Sequence, residues 1–479
     1  MASIKQQMLS GVFYTAIARY SGIVISLIIT AILARLLSPD DFGIVAVATV
    51  IINFFGIFAN IGIPAAIIQN KELTNKDMNS IYMFTIWIGG ILSVLFFLSS
   101  WGIATFYQDN RLVLICQLLS ICLFFTAASI VPNALFYRDK DFKFIAFRTC
   151  IVQVIAGVLS ILAAIKGVGL YTLVIQPILS GLLVWIISLK KYPQQLQWTM
   201  GIGSVQKIWN YSMYQFLFSI VNYFTRNLDK LLIGKYMGLT PLGYYEKSYR
   251  LMMLPLQNIT YIITPVMHPI LSDYQNDMNK LGHTQERIMR LLAFIGFPLS
   301  IVLLFCAKEL ILCVFGEQWL PSIPVFQILS LTVGLQLLLS SSGSFYQAGN
   351  DTRGLFICGA FSALTSIIGL LIGIFYFHSL EAIAWCIFIS FCLNFIQCYW
   401  QLYRFMLHRS LLLCYRQLLS PSILSCIIGC TLYLVSIFIK DYNIILSLFS
   451  KAIISFILWI VYIPVSYTHL RAHETLRHL

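Results

Sequence analysis

The residues of this 479-residue chain that could do chemistry are basic and polar side chains repeated at helical spacing inside apolar segments. One series, each member three or four residues after the last, is Gln215, Ser219, Asn222, Arg226 and Lys230. A second series, about 200 residues earlier, is Thr15, Arg19, Gly22, Ser26 and Thr30. Each spacing places its residues on one face of a helix. Polar groups inside a bilayer are costly and usually mark a pathway, so the two faces predict a wet cleft.

The charge of this predicted cleft favours an anion. Six basic or amide residues are the candidates to bind a substrate there: Arg19, Arg226, Lys230, Arg250, Gln215 and Asn222. Because arginine is the preferred residue for bidentate contacts to phosphate, a phosphate or diphosphate group is the natural ligand. Asp229 and Glu246 could carry a coupling ion, or each could form an ion pair with a neighbouring base. Helix packing through small and polar residues is the structural alternative for both faces.

Other basic residues lie near the ends of apolar segments. Lys247 stands between Glu246 and Arg250 at the start of one segment. Arg148 and Arg290 are interpreted as anchors whose long side chains reach the membrane surface. If part of this set faces the cleft instead, the cavity is more positive still.

The composition sets these residues in a membrane. Hydrophobic residues make up 59% of the chain and charged residues 10%, with a mean hydropathy of +0.85. Soluble domains have roughly 45–50% and about 25%. Disordered, coiled-coil and disulfide-stapled classes are excluded, because each requires a composition this chain lacks. The formal net charge of +13 does not indicate a nucleic-acid partner, because the positive-inside bias of a membrane protein accounts for it.

A membrane helix needs roughly 20 apolar residues, and this requirement predicts about fourteen transmembrane helices in an all-α, polytopic fold. The predicted spans are Gly11–Leu37, Ile44–Ile68, Ile81–Phe106, Leu112–Phe136, Phe147–Ile165, Gly169–Leu189, Tyr211–Gly234, Tyr249–Leu271, Met289–Phe315, Ile323–Ala348, Gly354–Phe377, Ala382–Leu402, Ser420–Ile439 and Ile444–Ile463. With the N-terminus inside, 17 Lys and Arg residues lie on the cytoplasmic side against 6 on the other, before the C-terminal tail is counted. The positive-inside rule therefore predicts a multi-pass protein with both termini in the cytoplasm.

An internal repeat of roughly 200–210 residues organises the chain. The segment Leu37-Ser-Pro-Asp-Asp-Phe-Gly43 returns as Leu239-Thr-Pro-Leu-Gly243, and Gln117-Leu-Leu-Ser120 returns as Gln327-Ile-Leu-Ser330. Phe136-Tyr137 followed by Asp141 returns as Phe345-Tyr346 followed by Asp351. Six spans per copy predict two lobes related by a pseudo-twofold along the membrane normal, a transporter architecture. The expected domains are residues 1–200, residues 201–410, and two additional helices in residues 411–463.

Enzyme chemistry finds little support. None of the twelve cysteines forms a CxxC pair, and the sequence contains no HExxH, P-loop, GxSxG or strand-linked GxGxxG motif. We therefore expect no metal and no bound cofactor. Residues 464–479 break from the preceding composition and resemble translated sequencing-adapter DNA, so we expect an artefactual or disordered tail and assign no function to its histidines.

Three segments resemble a known family. They are Ile32-Leu-Ala-Arg-Leu-Leu-Ser-Pro-Asp-Asp-Phe-Gly43, Asn60-Ile-Gly-Ile-Pro-Ala-Ala-Ile-Ile-Gln69 and Arg226-Asn-Leu-Asp-Lys-Leu-Leu-Ile-Gly-Lys235. They are similar to the polysaccharide transporters (O-antigen, teichuronic-acid and colanic-acid flippases) of the multidrug/oligosaccharidyl-lipid/polysaccharide exporter superfamily. The resemblance extends over about residues 5–460.

The resemblance implies a function that the residues alone do not give. It implies two six-helix lobes in a bacterial inner membrane that move an undecaprenyl-diphosphate-linked oligosaccharide from the cytoplasmic to the outer leaflet by alternating access. It also implies coupling to a proton or sodium gradient, and a polysaccharide polymerase and glycosyltransferases as partners. In this interpretation the arginines hold the diphosphate and Gln215 and Asn222 contact sugar.

Two alternatives stay open at this stage. A cation-coupled drug exporter of the same superfamily would have the same fold, although such exporters typically keep acidic residues where this chain has Arg19. A multi-span glycosyltransferase that uses a lipid-phosphate donor would use Asp40 and Asp41 in the first outer loop. However, Ser38, Pro39 and Asp41 also fit the capping of the second span.

Overall fold

The structure, a computed structural model, describes residues 4–60, 63–70, 73–194, 220, 222–272, 274, 277–439 and 443–475. These residues are nearly all helical, and no strand occurs within those ranges, so the predicted all-α class is confirmed. The chain forms two compact units, Met1–Gly243 and Tyr244–Leu479.

The first unit contains nine helices in its described part. They are α1 (Ile4–Leu36), α2 (Pro39–Asn60), α3 (Ile63–Gln69), α4 (Asn75–Tyr107), α5 (Arg111–Ala128), α6 (Ile130–Arg138), α7 (Phe142–Ile165), α8 (Thr172–Lys191) and α9 (residues 222–236). α9, which carries the described residues 222–230 of the predicted polar series, is therefore in the same unit as the first six predicted spans. The predicted boundary near residue 200 stays a prediction.

The second unit begins within the next helix. Its helices are α10 (Leu239–Ser272), α11 (Met278–Phe305), α12 (Ala307–Val314), α13 (Ser322–Ala348), α14 (Thr352–Ile372), α15 (Leu380–Gln401), α16 (Leu411–Phe438) and α17 (Ile444–Thr475). Pro298 lies inside α11 without ending it. α17 continues through residues 464–475. That these residues are foreign to the protein stays a prediction.

The predicted number of spans is not confirmed. Over the described ranges, twelve segments are long and apolar enough to cross a membrane, against the predicted total of about fourteen. The predicted seventh and eighth spans are not among the twelve. Of the seventh span, residues 211–219 and 221 lie outside the described residues, and the eighth span falls within α10.

The helix α1 has one exposed apolar side and another side that packs against the protein. Large apolar side chains that recur at helical spacing are exposed: Phe13, Ile17, Tyr20, Val24, Ile28 and Ile32. On another side, α1 packs closely on α7, where Gly157 leaves room for Ile29. The hydrophobic effect does not draw helices together in lipid. Their association depends instead on van der Waals packing, which small residues permit because the backbones can approach closely.

The loops that precede α7 and α14 have matching backbone hydrogen bonds in the two copies of the repeat. Before α7, Asp141 N–H donates to Phe136 O (3.0 Å) and the Asp141 carboxylate accepts from Phe144 N–H (3.3 Å). Before α14, Asp351 N–H donates to Tyr346 O (2.9 Å) and its carboxylate accepts from Gly354 N–H (2.8 Å).

The residue before each aspartate has a positive φ, +59° at Lys140 and +55° at Asn350. Both loops therefore end one helix and cap the next in the same way. All these pairs differ by 210 residues, which corrects the predicted register by one position. Phe136 corresponds to Tyr346, not to Phe345.

Two glycines let the start of α2 and residues 239–243 of the first unit approach each other closely. A Cβ on Gly43 would lie 1.8 Å from Leu239 O, and one on Gly243 would lie 2.0 Å from Pro39 O. Both obstacles are backbone atoms, which cannot rotate away. The glycines of the repeated Leu-Ser/Thr-Pro segments are thus required by backbone contact.

Gly43→Ala should destabilise the protein. The new methyl group must displace backbone, and overpacking of this kind costs about 1–3 kcal/mol or more. Thermal unfolding of purified protein in detergent should show a lower Tm and a lower folded yield. Gly56→Ala is the matched control on α2, because nothing lies within 4 Å of its Cβ position. Equal Tm values for the two variants would contradict the contact.

Candidate functional site

Arg19 lies on α1 among the other residues of the predicted polar face. Thr15, Arg19, Ser26 and Thr30 are half-buried and Gly22 is buried. By helical spacing this face lies opposite the exposed apolar residues Phe13, Ile17 and Val24. At its centre, a Cβ on Gly22 would lie 3.1 Å from Gln153 Oε1 on α7. Arg19 is therefore on the side of α1 that faces away from the exposed apolar surface.

The helix α9 is held within the first unit by side-chain to backbone hydrogen bonds. Tyr223 OH donates to Val50 O, and Lys235 Nζ donates to Phe106 O. Tyr107 OH donates to Leu231 O (3.2 Å). These contacts place α9 against α2 and the end of α4.

Arg226 is the most informative residue of the predicted site. Its side chain is exposed, like that of Asn222 one turn earlier. An ion pair between Arg226 and Asp229 is one alternative that the sequence leaves open, but no residue in the described ranges makes a salt bridge with Arg226. Asp229 instead accepts a hydrogen bond from the backbone of Lys230 (2.8 Å), and both residues are half-buried. A guanidinium within a predicted membrane span is costly in lipid, so this side of α9 requires water or a ligand.

The remaining predicted residues divide between the two units. Gln215 lies outside the described residues. Arg250 is exposed and Glu246 is half-buried, both on the part of α10 that belongs to the second unit. Lys247, between them, is 2% exposed, and its Nζ lies 5.7 Å and 5.8 Å from the ring centres of Phe315 and Trp319. Lys247 therefore belongs to the interior of the second unit.

A cluster of charges, which we call the clasp, joins the end of α4, the starts of α2 and α5, and Thr240. Arg111 Nη2 lies 2.7 Å from Asp40 Oδ2 and 2.6 Å from Asp109 Oδ2. Thr240 Oγ1 donates to Asp40 Oδ1 (2.9 Å). Hydrogen bonding from Arg111 lowers the pKa of Asp109, in the loop between α4 and α5. The positive-inside rule predicts that this end of the unit faces outward.

The acidic residues of the first loop have structural partners. Ser38 N–H donates to Asp41 Oδ2 (2.9 Å), and Asp41 N–H donates to Ser38 Oγ (3.3 Å). This reciprocal pair is the predicted capping box, with Pro39 as first residue of α2. Because Asp40 is engaged by Arg111 and Thr240, the loop does not present a free pair of carboxylates for catalysis.

Sequence reasoning missed a buried ion pair in the second unit. Lys451 Nζ lies 2.5 Å from Glu309 Oε1, and Ser447 Oγ donates to the same oxygen (2.8 Å). Glu309 and Lys451 are 7% and 5% exposed. The sequence does contain one indication of this pair, because Lys451 is the one charged residue in the apolar segment 444–463. Its partner, 142 residues earlier, has no local signature.

The described residues contain no group of three or more His, Cys, Asp or Glu side chains that could hold a metal ion. The basic residues are thus the candidates for substrate contact. Together they give the first unit a polar face on α1 and an exposed cation on α9.

Comparison with known proteins identifies relatives for this arrangement. The family described as polysaccharide biosynthesis protein matches residues 32–324, more than half of the chain. The teichuronic acid biosynthesis protein TuaB of Bacillus subtilis is 27% identical over 354 residues, which cover 72% of each chain.

Solved structures show the same fold. The lipid II flippase MurJ, in an inward closed conformation, has a TM-score of 0.74 at 14% identity and covers 96% of this chain and 99% of its own. An inward-facing multidrug resistance MATE family transporter of the MOP superfamily has a TM-score of 0.61 at 13% identity, covering 80% and 94%. The two solved structures are named as a flippase and a transporter, and none of these comparisons supports the glycosyltransferase alternative.

The exposed face of α9 can be tested by cysteine accessibility. In a background without the exposed Cys426 and Cys430, Asn222→Cys and Arg226→Cys should react with a charged, water-soluble methanethiosulfonate. The reagent reacts with the ionised thiolate, which forms only where the cysteine meets water. Ile17→Cys and Val24→Cys, on the apolar face of α1, should therefore react at least about tenfold more slowly. Labelling rates in intact membranes measure the difference. Equally slow reaction at all four positions would show that this side of α9 faces lipid.

Proposed function

Because this chain belongs to the polysaccharide biosynthesis protein family, we propose that it flips an undecaprenyl-diphosphate-linked oligosaccharide from the cytoplasmic to the outer leaflet. The observation that carries the proposal is the exposed Arg226, which has no salt-bridge partner among the described residues although it lies in a predicted membrane span. A diphosphate would supply the missing negative charge.

The proposed roles follow from charge and position. Arg19 and Arg226, with Lys230 and Arg250, hold the diphosphate. The amides of Gln215 and Asn222 contact sugar hydroxyls, which need both donors and acceptors. Asp229 or Glu246 carries a proton, and a proton or sodium gradient supplies the energy. No cofactor takes part.

The proposed setting is the bacterial inner membrane, with both termini in the cytoplasm and a lipid-linked glycan as substrate among the membrane lipids. The described residues form a multi-pass helical membrane protein, and the charge bias of its loops supports the orientation. Glycosyltransferases that build the lipid-linked unit and a polymerase that consumes it would be functional partners. TuaB, a relative, is named for the biosynthesis of such a polymer.

Alternating access requires that each side of the protein closes in turn. We propose that the clasp formed by Asp40, Arg111 and Thr240 is closed while the cleft is open to the cytoplasm, and separates when the cleft opens outward. Gly43 and Gly243 allow the clasped segments to meet at backbone distance.

A drug exporter of the same superfamily is the rival function, since a MATE transporter shares the fold. The fold alone does not distinguish the two. The family match and the placement of Arg19 on the polar face of α1 favour an anionic, lipid-linked substrate over a cationic drug.

Arg19→Gln and Arg226→Gln should each reduce polysaccharide export at least about tenfold, because a charge-assisted bidentate contact is worth roughly 1.5–3 kcal/mol. Complementation of a flippase-deficient strain measures export as surface polysaccharide. Arg→Lys at each position should retain part of the activity.

Lys166→Gln is the matched control, because it removes one charge from an exposed loop. It should export normally. Membrane fractions must contain all variants at similar levels. Full export by both glutamine variants would refute the assigned roles. If these variants lose drug resistance but keep glycan export, the drug-exporter function is favoured.

The alternating movement has a separate test at the clasp. Asp40→Cys with Thr240→Cys places two thiols where a side-chain hydrogen bond of 2.9 Å now joins the segments. A short bis-methanethiosulfonate linker should arrest export, and a reductant should restore it. Each single-cysteine variant, treated in the same way, controls for loss of the native side chain. Undiminished export by the linked protein would rule out separation of the clasp.

A further inference from the structure

One buried arginine has no carboxylate partner among the residues that the structure describes. Arg148, on the second turn of α7, is 8% exposed. It is not the surface anchor expected from the sequence. Its Nη1 donates to Asn133 Oδ1 on α6 (2.7 Å) and to Ser188 Oγ on α8 (2.6 Å), and its Cζ lies 5.1 Å from the centre of the Phe136 ring. All three partners are neutral.

The lack of a carboxylate sets Arg148 apart from two cations of the second unit whose side chains are also largely removed from solvent. In the second unit Lys451 is paired with Glu309, and Arg409 with Glu286 at 2.7 Å. No carboxylate in the described ranges pairs with Arg148. Buried charges are normally paired, because the interior solvates them poorly.

The two carboxylates of the loop before α7 have other partners. Asp139 accepts from Tyr192 OH. Asp141 caps α7 and lies 3.7 Å from Lys191 Nζ. Neither is available to neutralise Arg148 without giving up a contact that shapes the loop.

The second copy of the repeat shows that the fold does not need a charge here. The 210-residue register places Cys358 at the position of Arg148, Tyr346 at that of Phe136 and Cys398 at that of Ser188. There Cys358 Sγ donates to Tyr346 OH (3.3 Å), which donates to Cys398 O (3.0 Å). These neutral groups are buried, and they form hydrogen bonds with one another. Packing alone therefore does not explain the guanidinium in the first copy.

The geometry points to a second phosphate-binding site: we propose that Arg148 binds the phosphate group of an anionic ligand between α6, α7 and α8. Both hydrogen bonds of Arg148 come from Nη1, and Nε is buried without an acceptor. The edge formed by Nε and Nη2 is one of the two that hold an oxyanion through parallel hydrogen bonds. Asn133 and Ser188 fix the group in that orientation.

The surroundings favour a phosphate at the membrane surface. Lys140, Lys143 and Lys190 are exposed at the same end of the unit. Basic pockets between membrane helices on the cytoplasmic side are typical sites for anionic lipid headgroups. Two sources share this chemistry, a phospholipid headgroup and a free phosphate or diphosphate. The contacts of Arg148 with Asn133, Ser188 and Phe136 involve neither Arg19 nor Arg226, so the proposal stands whether or not the chain flips a lipid-linked glycan.

The test compares purified full-length protein with a variant that copies the second repeat: Phe136→Tyr, Arg148→Cys and Ser188→Cys together. Binding is measured by native mass spectrometry and by the rise in Tm, with phosphatidylglycerol, phosphatidylcholine and inorganic pyrophosphate as probes. The triple variant should bind phosphatidylglycerol at least about tenfold more weakly, which corresponds to about 1.4 kcal/mol. Lys143→Gln removes an exposed charge from the same end and should weaken binding by no more than about threefold.

Arg148→Lys keeps the charge without the fork, and should weaken binding less than the triple variant. It serves as the decisive variant if the triple variant does not fold. Binding of both anionic probes assigns the site to phosphate itself, and binding of phosphatidylglycerol alone assigns it to a lipid headgroup. The proposal would be overturned if the wild-type protein binds neither anionic probe more tightly than phosphatidylcholine. Unchanged affinity in folded variants at Arg148 would also overturn it.

Discussion

The cost of placing a charge in a bilayer decides where every basic residue of this protein can lie. For two cations of the second unit this cost is lowered inside the protein, by the pairs Lys451–Glu309 and Arg409–Glu286. In the first unit it is not met in the same way. Arg148 has only neutral partners and Arg226 has no salt bridge among the described residues. The first unit therefore carries positive charge that water or an anionic ligand must balance, a property suited to a phosphate-bearing substrate.

Because the chain is duplicated, equivalent positions of the two copies can be compared directly. Loops before α7 and α14 have the same hydrogen bonds, the same left-handed residue and the same aspartate cap, so the backbone was retained in both copies. What differs is the chemistry placed on it, Arg148 in one copy and Cys358 in the other. Since function resides in the residues carried by a fold, such differences are more informative than the shared fold, which exporters of unlike substrates also have.

The sequence predicted what depends on local pattern and not what depends on distant partners. Hydropathy gave the membrane class, and Ser38 with Asp41 gave the capping box at the start of α2, because these signals act over a few residues. The sequence also singled out Arg19 and Arg226, by spacing alone. It misassigned Arg148 as a surface anchor and missed the partner of Lys451, because burial is set by helices far away in the chain. The register of the repeat was wrong by one residue near Phe136, where adjacent aromatics match equally well.

The composition of the clasp fits its proposed role as a contact that opens in each transport cycle. Arg111 is about half exposed, and exposed ion pairs contribute only about 0–1 kcal/mol. The hydrogen bond from Thr240 adds roughly 0.5–1.5 kcal/mol. Gly43 and Gly243 let the two segments meet at backbone distance, with no side chain of either glycine between them. A ligand needs to favour the opposite state by only a few kcal/mol to reverse such a balance, which the binding of one diphosphate to arginine can provide.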